Sequence, residues 1–552
     1  MLVGMTLFRR SLVGSLAFLF LLSVTFPGGR VRVAKAWYVN EGAAESNLRQ
    51  ASIILPYVKY EWWLMYWADN RIICQMYTDH EGWPTGEEIY ASCGESVHSE
   101  WLRTPACPQL EQGDTLSCPG VYLLLIGSQP AEKTILVDLP PIQVWMTLSG
   151  CTPTSPENLC PEIPSLRLTG EEPLPNEHVT AINAALGGQT YRCDTVTCTL
   201  PLAPTPMDGL AVEFWADSSY GDSSEHFTAQ VRVVDSGPPA SDVPTTPAGW
   251  YVDVLGKQWR GAQIASCAQV WQAFPPVGGP PAWLTTPEVP DLLATDTPYY
   301  FLAGQLISQG LVDASGCPSG GLLTNGYADV CGLEAARPLV VDWQNRFDER
   351  IIAVARETGV PGQLMKNLFA QESQFWPGAF KDPKEFGLGQ LTENGAETVL
   401  LWNPDFFNQF CPLVLEETTC EKGYLYLEQA DQATLRGALA LQAKSECADC
   451  QAGIDLSHAD FSVKLFAQTL LANCEQVAQV VYNGTDQIAG KVSNYPDLWR
   501  FTLANYHAGA GCLSYAVYTT WSSGNPIDWA NVSTHFTQPC QGVISYVEKV
   551  AR

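Results

Sequence analysis

At 552 residues the chain is too long for one core, and three or four domains are expected. Apolar residues make up 46%, an ordinary share for globular protein, which excludes a chain disordered throughout. The formal charge of −28 argues against nucleic acid or an anionic membrane as partner.

The chain opens on what reads as an export signal. Arg9 and Arg10 precede an apolar run over 12–26 that is too short to span a bilayer comfortably, and Ala34-Lys35-Ala36 offers a small-x-small cleavage site. Residues 1–36 therefore read as a signal peptide, with retention as an anchor the alternative, and the protein as exported to the cell envelope or beyond. No cysteine precedes Cys74, so a lipid-anchored lipoprotein start is excluded. With export, the 18 cysteines read as disulfides. Four fall in 37–139 (Cys74, Cys93, Cys107, Cys118) and four in 140–236 (Cys151, Cys160, Cys193, Cys198). Cys267 and Cys317 lie beyond, and eight follow from Cys331 onward. Each block is even and can close its own bridges. The CxxC at Cys447 and Cys450 has no second pair at zinc-ribbon spacing, so a disulfide is favoured over metal despite His458 nearby.

Residues 37–139 read as strands. Ile53-Ile54-Leu55, the run 60–66 and Val121-Tyr122-Leu123-Leu124-Leu125-Ile126 are apolar and rich in β-branched or aromatic residues, and 134–139 closes the set. A small β-sandwich with two bridges is predicted. Residues 140–236 are predicted to be β as well, with 142–148 alternating in part as a half-buried strand does. The segment from Asp208 to Ser224, DGLAVEFWADSSYGDSS, resembles the strand–turn–strand end of bacterial immunoglobulin-like repeats, with a last strand over 227–234. That implies a second sandwich, of the type that spaces catalytic domains or contacts polymers and envelope proteins. Trp215 is predicted to be a core residue. SGPPASDVPTTP over 236–247 is a stiff, Pro-rich linker. The run 275–290 carries six prolines, which speaks against regular structure. Helical candidates at 262–272 and 299–309 make 237–335 a connector with a small disulfide-bearing subdomain.

Helical periodicity takes over from 336. Trp343, Phe347, Ile351 and Val354 form a stripe at spacings of four, four and three; Gly359 ends that helix, and Pro361 suits the first turn of the next. Within LMKNLFAQESQFWPGAFKDPKEFGLGQL, residues 364–391, Leu364, Met365, Leu368 and Phe369 recur at helical spacing. Glu372 falls four residues after Leu368 and eight after Leu364, on the same apolar stripe near the helix end. A carboxyl placed there is desolvated, which favours its proton-carrying form and suits a general acid. On spacing alone, a glutamate that merely ends a helix in solvent stays open.

Glu372-Ser373-Gln374-Phe375, followed by Gly387-Leu388-Gly389-Gln390-Leu391, resembles the ESxF…GLMQL signature of the soluble lytic transglycosylase family. Ala504-Asn505-Tyr506-His507-Ala508-Gly509-Ala510-Gly511 resembles its third motif, AxYNAGxG. The resemblance covers 336–552 only and implies a compact, mostly helical, lysozyme-like domain. The expected architecture is therefore multidomain: two N-terminal all-β, immunoglobulin-like sandwich domains, a Pro-rich connector and a C-terminal, mainly α, lysozyme-like domain. The family cleaves the β-1,4 bond between N-acetylmuramic acid and N-acetylglucosamine in peptidoglycan and leaves a 1,6-anhydro sugar. The resemblance implies no cofactor and no metal. Because the surface is acidic, contact with an anionic wall must rest on shape, hydrogen bonds and stacking.

Carried over position by position, the resemblance makes Glu372 the single catalytic residue, acid first and base second. That accords with the lack of an obvious carboxylate pair, and Glu385, Glu393 and Glu397 read as exposed charges. Ser373 is expected to hold the helix end and Phe375 to pack beneath it. Gly387 and Gly389 are expected to let the backbone approach the substrate. Gln390 is expected to bond an N-acetyl group or the local loop, and Tyr506 to reach the Glu372 carboxyl. Leu388, His507 and Gly509 complete the supporting set. The chain departs from the family pattern at Lys381, where the family has a serine, at Gly389, where it has methionine, and at His507, where it has asparagine. The cysteine-rich stretch 411–474 is expected to form a wall of the sugar groove. Two alternatives stand beside this reading: a hydrolase on the same fold, resembling goose-type lysozymes, and a catalytically silent envelope-binding or scaffold protein.

Overall fold

A computed structural model describes residues 49–107, 115–153, 158–236, 249–261, 266–378, 380–381 and 384–552; the predicted signal peptide lies outside them. β1 (Gln50–Tyr66), β2 (Ile72–Thr78) and β3 (Val121–Asp138) form one antiparallel sheet in the order β2-β1-β3. Helix α1 (Gly86–Arg103) packs on it, so a single sheet with a helix replaces the sandwich expected over 37–139. The signal for this helix stands in the sequence at Thr85 and Glu88. The Thr85 hydroxyl accepts from the Glu88 N–H, and the Glu88 carboxylate accepts from the Thr85 N–H at 2.8 Å. These reciprocal bonds satisfy two of the donors that every helix start leaves open. Thr85→Ala is expected to cost about 1 kcal/mol, read as a lower denaturation midpoint by circular dichroism. The core under this sheet is small (Trp62, Met76, Ile89), and Cys74–Cys93 and Cys107–Cys118 staple it.

Two further sheets enclose a second core. One joins β4 (Gln143–Ser149), β6 (Ser165–Glu171) and β9 (Thr197–Pro201) in that order. The other joins β5 (Leu159–Cys160), β12 (Trp250–Leu255), β11 (Phe227–Asp235), β10 (Leu210–Ser218), β7 (Val179–Leu186) and β8 (Gln189–Cys193) in that spatial order. Val144, Leu166 and Leu168 from the first meet Ile182, Phe214 and Val231 from the second. Side chains alternate along β10, so Val212, Phe214 and Ala216 face inward and Trp215 faces out. Trp215 is half-buried and stacks on His226 with ring centroids 4.1 Å apart, which corrects its expected place in the core. β12 follows the Pro-rich run yet pairs antiparallel with β11, so the sheet continues beyond residue 236. A buried ion pair, Arg232–Asp253, spans these two strands, and Arg232 also donates to the Pro275 carbonyl at 2.5 Å. That bond fastens the sheet to the connector.

From Leu255 to Val550 one continuous apolar core follows. α2 (Ala268–Trp271) and α3 (Tyr300–Ser308) fall in the two stretches predicted to be helical. Both belong to this core: Trp271 is fully buried and donates to the Cys474 carbonyl at 3.0 Å. The connector cysteines do not pair with each other, as even blocks would allow. Cys267 bridges to Cys474 and Cys317 to Cys331, which ties the connector to the helices. The stripe of Trp343, Phe347, Ile351 and Val354 is buried, but it crosses from α4 (Val330–Asn345) to α5 (Asp348–Thr358). α6 (Gly362–Glu372) follows, then a hairpin of β13 (Phe380–Lys381) and β14 (Lys384–Glu385), then α7 (Glu393–Trp402). Short helices α8 (Pro404–Phe410) and α9 (Glu417–Cys420) lead to α10 (Gln429–Ala443) and the long α11 (Leu456–Thr485). α12 (Ala489–Val492), α13 (Tyr495–Ser522), α14 (Trp529–Ser533) and α15 (Gly542–Val550) complete the chain. Cys447–Cys450 is a disulfide, Cys411–Cys420 staples neighbouring turns, and Cys512–Cys540 ties α13 to the segment just before α15. Among the described residues, no helix is long and apolar enough to cross a membrane.

Candidate active site

α6 is held at its start by the Thr286 hydroxyl, which accepts the Gly362 N–H at 2.9 Å. Leu364, Met365, Leu368 and Phe369 are fully buried, so the apolar stripe docks the helix and leaves Glu372 as its last residue. The helix cannot continue because Gln374 and Phe375 take left-handed backbone angles, φ 49° and 61°. That turn folds Phe375 back into the core, against Phe347 and Phe369. It also brings the Gln374 side chain to α3, where its carboxamide oxygen accepts the Phe301 N–H at 2.9 Å. Ser373, buried, donates to the Leu388 carbonyl at 2.7 Å and so joins the helix end to the loop 387–391. That loop closes on itself through Phe386 and Leu391, each of which donates its N–H to the other's carbonyl.

The hydroxyl that meets Glu372 belongs to Tyr546, on α15, which donates to Oε1 at 2.5 Å. The Tyr506 hydroxyl, expected in that role, donates instead to the Gly389 carbonyl. Tyr506 still lines the same cleft. Asn367 on α6 fixes α15 in place by donating to the Val550 carbonyl at 2.9 Å. His507, open to solvent on one side, lays the other on the Tyr546 ring at 4.0 Å between centroids, and loss of water from the covered side holds its pKa below the usual value.

The cleft holds about 280 Å³. Glu372, Glu385 and Gln390 line it with Asn394 and Thr398 of α7, Thr469 and Asn473 of α11, and 505–509 of α13. Part of Glu372 stays open to this space, but its carboxyl is enclosed, and burial lifts its pKa to about 7. The Tyr546 hydrogen bond works against that rise, and the Glu385 charge adds to it. At neutral pH the carboxyl is therefore poised between holding and releasing its proton. Tyr546→Phe removes the bond that favours the charged form, so the Glu372 pKa rises above about 7. For any reaction that takes its proton from Glu372, the alkaline limb of the pH–rate profile is expected to move to higher pH in this variant.

No family model matches this chain, and no curated protein matches it.

Other expected site residues sit as follows. Glu385 is no exposed charge: it is half-buried in the cleft, and burial raises its pKa. Glu393 is exposed and pairs with Arg436 at 3.2 Å, and Glu397 does not line the cleft. Phe375 and Leu388 are fully buried behind the cleft and touch no open space. Gly387 and Gly389 admit protein rather than leaving room for a ligand. A Cβ on Gly389 would lie 2.4 Å from the Phe466 ring and 2.8 Å from the Tyr506 hydroxyl. A Cβ on Gly387 would lie 2.6 Å from the Ala443 carbonyl. The same crowding excludes methionine at 389. Gly509 breaks α13 with φ 79° at the cleft edge. Of Lys381 only the backbone is described. Of the cysteine-rich stretch 411–474, only Thr469 and Asn473 of α11 wall the cleft; residues 411–468 are absent from the lining, whose other wall α7 supplies. A larger cavity of about 820 Å³, lined by Trp402, Phe406, Phe410 and Phe461, lies apart and contains no Glu372 contact. Among the described residues, no group of three or more His, Cys, Asp or Glu is placed to hold a metal.

Proposed function

We propose that the chain is an exported peptidoglycan lytic transglycosylase. In this reading the helical region has a lysozyme-like fold, and the two-sheet β region is an immunoglobulin-like module that spaces the catalytic part or contacts envelope proteins. The observation that carries the reading is the enclosed Glu372 carboxyl, hydrogen-bonded to Tyr546 and holding its proton to about pH 7, in an open polar cleft. The convergence of Glu372, Gln390 and 505–509 on that cleft supports it further, because the third motif lies far along the chain from the first two.

Glu372 gives its proton to the oxygen of the β-1,4 bond as the C1–O bond breaks. The carboxylate so formed takes the proton of the muramoyl 6-hydroxyl while that oxygen bonds to C1. The product is a 1,6-anhydro sugar, no water is consumed, and the carboxyl is protonated again. One group acts in both steps, which favours a pKa near the working pH. Tyr546 is a positioning residue: it orients the carboxyl and supports the charged form between the steps.

One observation favours a second reading. Glu385 shares the cleft, and a carboxylate there could take a proton from water attacking C1, giving hydrolysis with a reducing end. Digestion of purified sacculi followed by mass spectrometry decides between them. Lytic cleavage gives soluble muropeptides lighter by one water than the hydrolytic products. Binding to sacculi with no soluble product would replace both readings by an envelope scaffold.

A further inference from the structure

Two rings from different helices meet over the acid. Tyr546 of α15, only 4% exposed, donates to Glu372 Oε1 at 2.5 Å. The His507 ring of α13 lies flat on the Tyr546 ring, 4.0 Å between centroids and 10° between planes. His507 lines the cleft beside Glu372 and is exposed there, whereas Tyr546 is not part of the lining. The imidazole therefore stands between the cleft and the Tyr546–Glu372 pair. The fold holds it in that place. Cys512–Cys540 ties α13 shortly after His507 to the chain shortly before Tyr546, and Asn367 fixes α15 from the side of α6.

We propose that His507 is a positioning residue that caps the Tyr546–Glu372 pair and keeps water of the cleft away from the acid. The inference rests on Glu372 being the acid of the reading above and names what keeps it enclosed. As a ring contact alone, such a stack contributes about 0.5–1.5 kcal/mol to stability. The cap adds an effect on the proton, because it is loss of water that favours the uncharged carboxyl. The titratable groups around Glu372 are Tyr506 and His507 of α13, Tyr546 of α15 and Glu385 of β14; the lining residues of α7 and α11 do not titrate. Burial and the nearby Glu372 charge keep both phenols protonated. His507 is uncharged over the range in which Glu372 titrates, because burial holds its pKa below 6.5. Replacing it removes cover rather than charge.

The test is infrared difference titration of the Glu372 carboxyl in the full chain carrying His507→Ala or His507→Phe, each read against the same chain with Glu372→Gln. Alanine opens Tyr546 to the cleft and admits water to the carboxyl, so the midpoint is expected to fall from about 7 toward 4.5, by about one pH unit or more. Phenylalanine restores the cover without an ionisable nitrogen and is expected to keep the midpoint near 7 or above. His507→Asn, which is polar and cannot stack, is expected to fall as alanine does and serves if the alanine variant fails to fold. The alkaline limb of muropeptide release is expected to move down with the midpoint in His507→Ala, opposite to its movement in Tyr546→Phe. A midpoint that stays near 7 in His507→Ala would overturn the inference and leave Glu372 as the acid. Equal falls with alanine and phenylalanine would overturn it too, since the imidazole and not the cover would then be responsible. A midpoint near 4.5 already in the wild type would remove the acid reading itself.

Discussion

Replacing Glu372 by Gln is expected to reduce release of muropeptides by about 10³-fold or more, and to make the protein more stable in alkaline solution. The first effect follows from the loss of a positioned acid, a contribution usually of ~10²–10⁴, together with the loss of the base in the second step. The second effect separates a catalytic role from a structural one. The carboxyl pKa is about 7 in the fold, against 4.5 for an unburied glutamate. The group is protonated in both states below about pH 4.5, and its full contribution is present there. As pH rises through 7 the folded protein must carry a buried charge, and stability falls by roughly 3 kcal/mol, at about 1.4 kcal/mol per pKa unit. Gln carries no charge and escapes that loss. Thermal denaturation is therefore expected to give similar midpoints for both proteins in acid and a higher midpoint for the variant at about pH 8. A lower midpoint for the variant at every pH would make Glu372 a structural residue.

Lys366→Ala is expected to destabilise the fold by about 3–5 kcal/mol. Lys366 sits on α6 between Met365 and Asn367, fully buried, and donates to Asp348 at 2.7 Å and to the Gln344 carbonyl at 2.8 Å. Its ammonium also lies 4.8 Å from the centre of the Phe375 ring, under the turn that ends α6. Burial lifts the Asp348 pKa to about 6 despite the lysine, so the carboxylate depends on its partner for its charge. Removing the lysine strands that carboxylate in the core, and the cost is mostly the cost of the charge left behind. Pairing Lys366→Met with Asp348→Asn removes both charges at nearly constant volume and is expected to recover most of the loss. Urea denaturation of the two variants measures the difference. If the single variant lost less than about 1 kcal/mol, the pair would count as no more than a surface bridge.

Where the sequence was legible, a short-range pattern carried the information. The apolar stripe ending at Glu372 placed the acid because one helix buries both the stripe and the carboxyl beside it. The phenol is not legible locally: Tyr506 and Tyr546 are 40 residues apart on two helices, and the docking of α15, held by Asn367, brings Tyr546 to the acid. Nothing in the spacing marks Glu385 as enclosed, because its strand is only two residues long and shows no period. β12 was hidden behind a Pro-rich run, although its Val252 and Val254 alternate as sheet residues do. α1 was missed with its Thr85–Glu88 capping signal in plain view. The connector was set apart by its prolines, yet Trp271 and Cys267 bind it to α11 over more than 200 residues of sequence. Such pairings depend on tertiary packing, which no local spacing encodes.

The proton on Glu372 is the claim on which the rest stands, and infrared difference titration of the wild type against Glu372→Gln measures it directly. The carbonyl band of the protonated carboxyl, present only in the wild type, is expected to persist through mild acid and fade with a midpoint near pH 7. A midpoint near 4.5, the value of an unburied glutamate, would show a carboxylate already charged in use and would contradict the account.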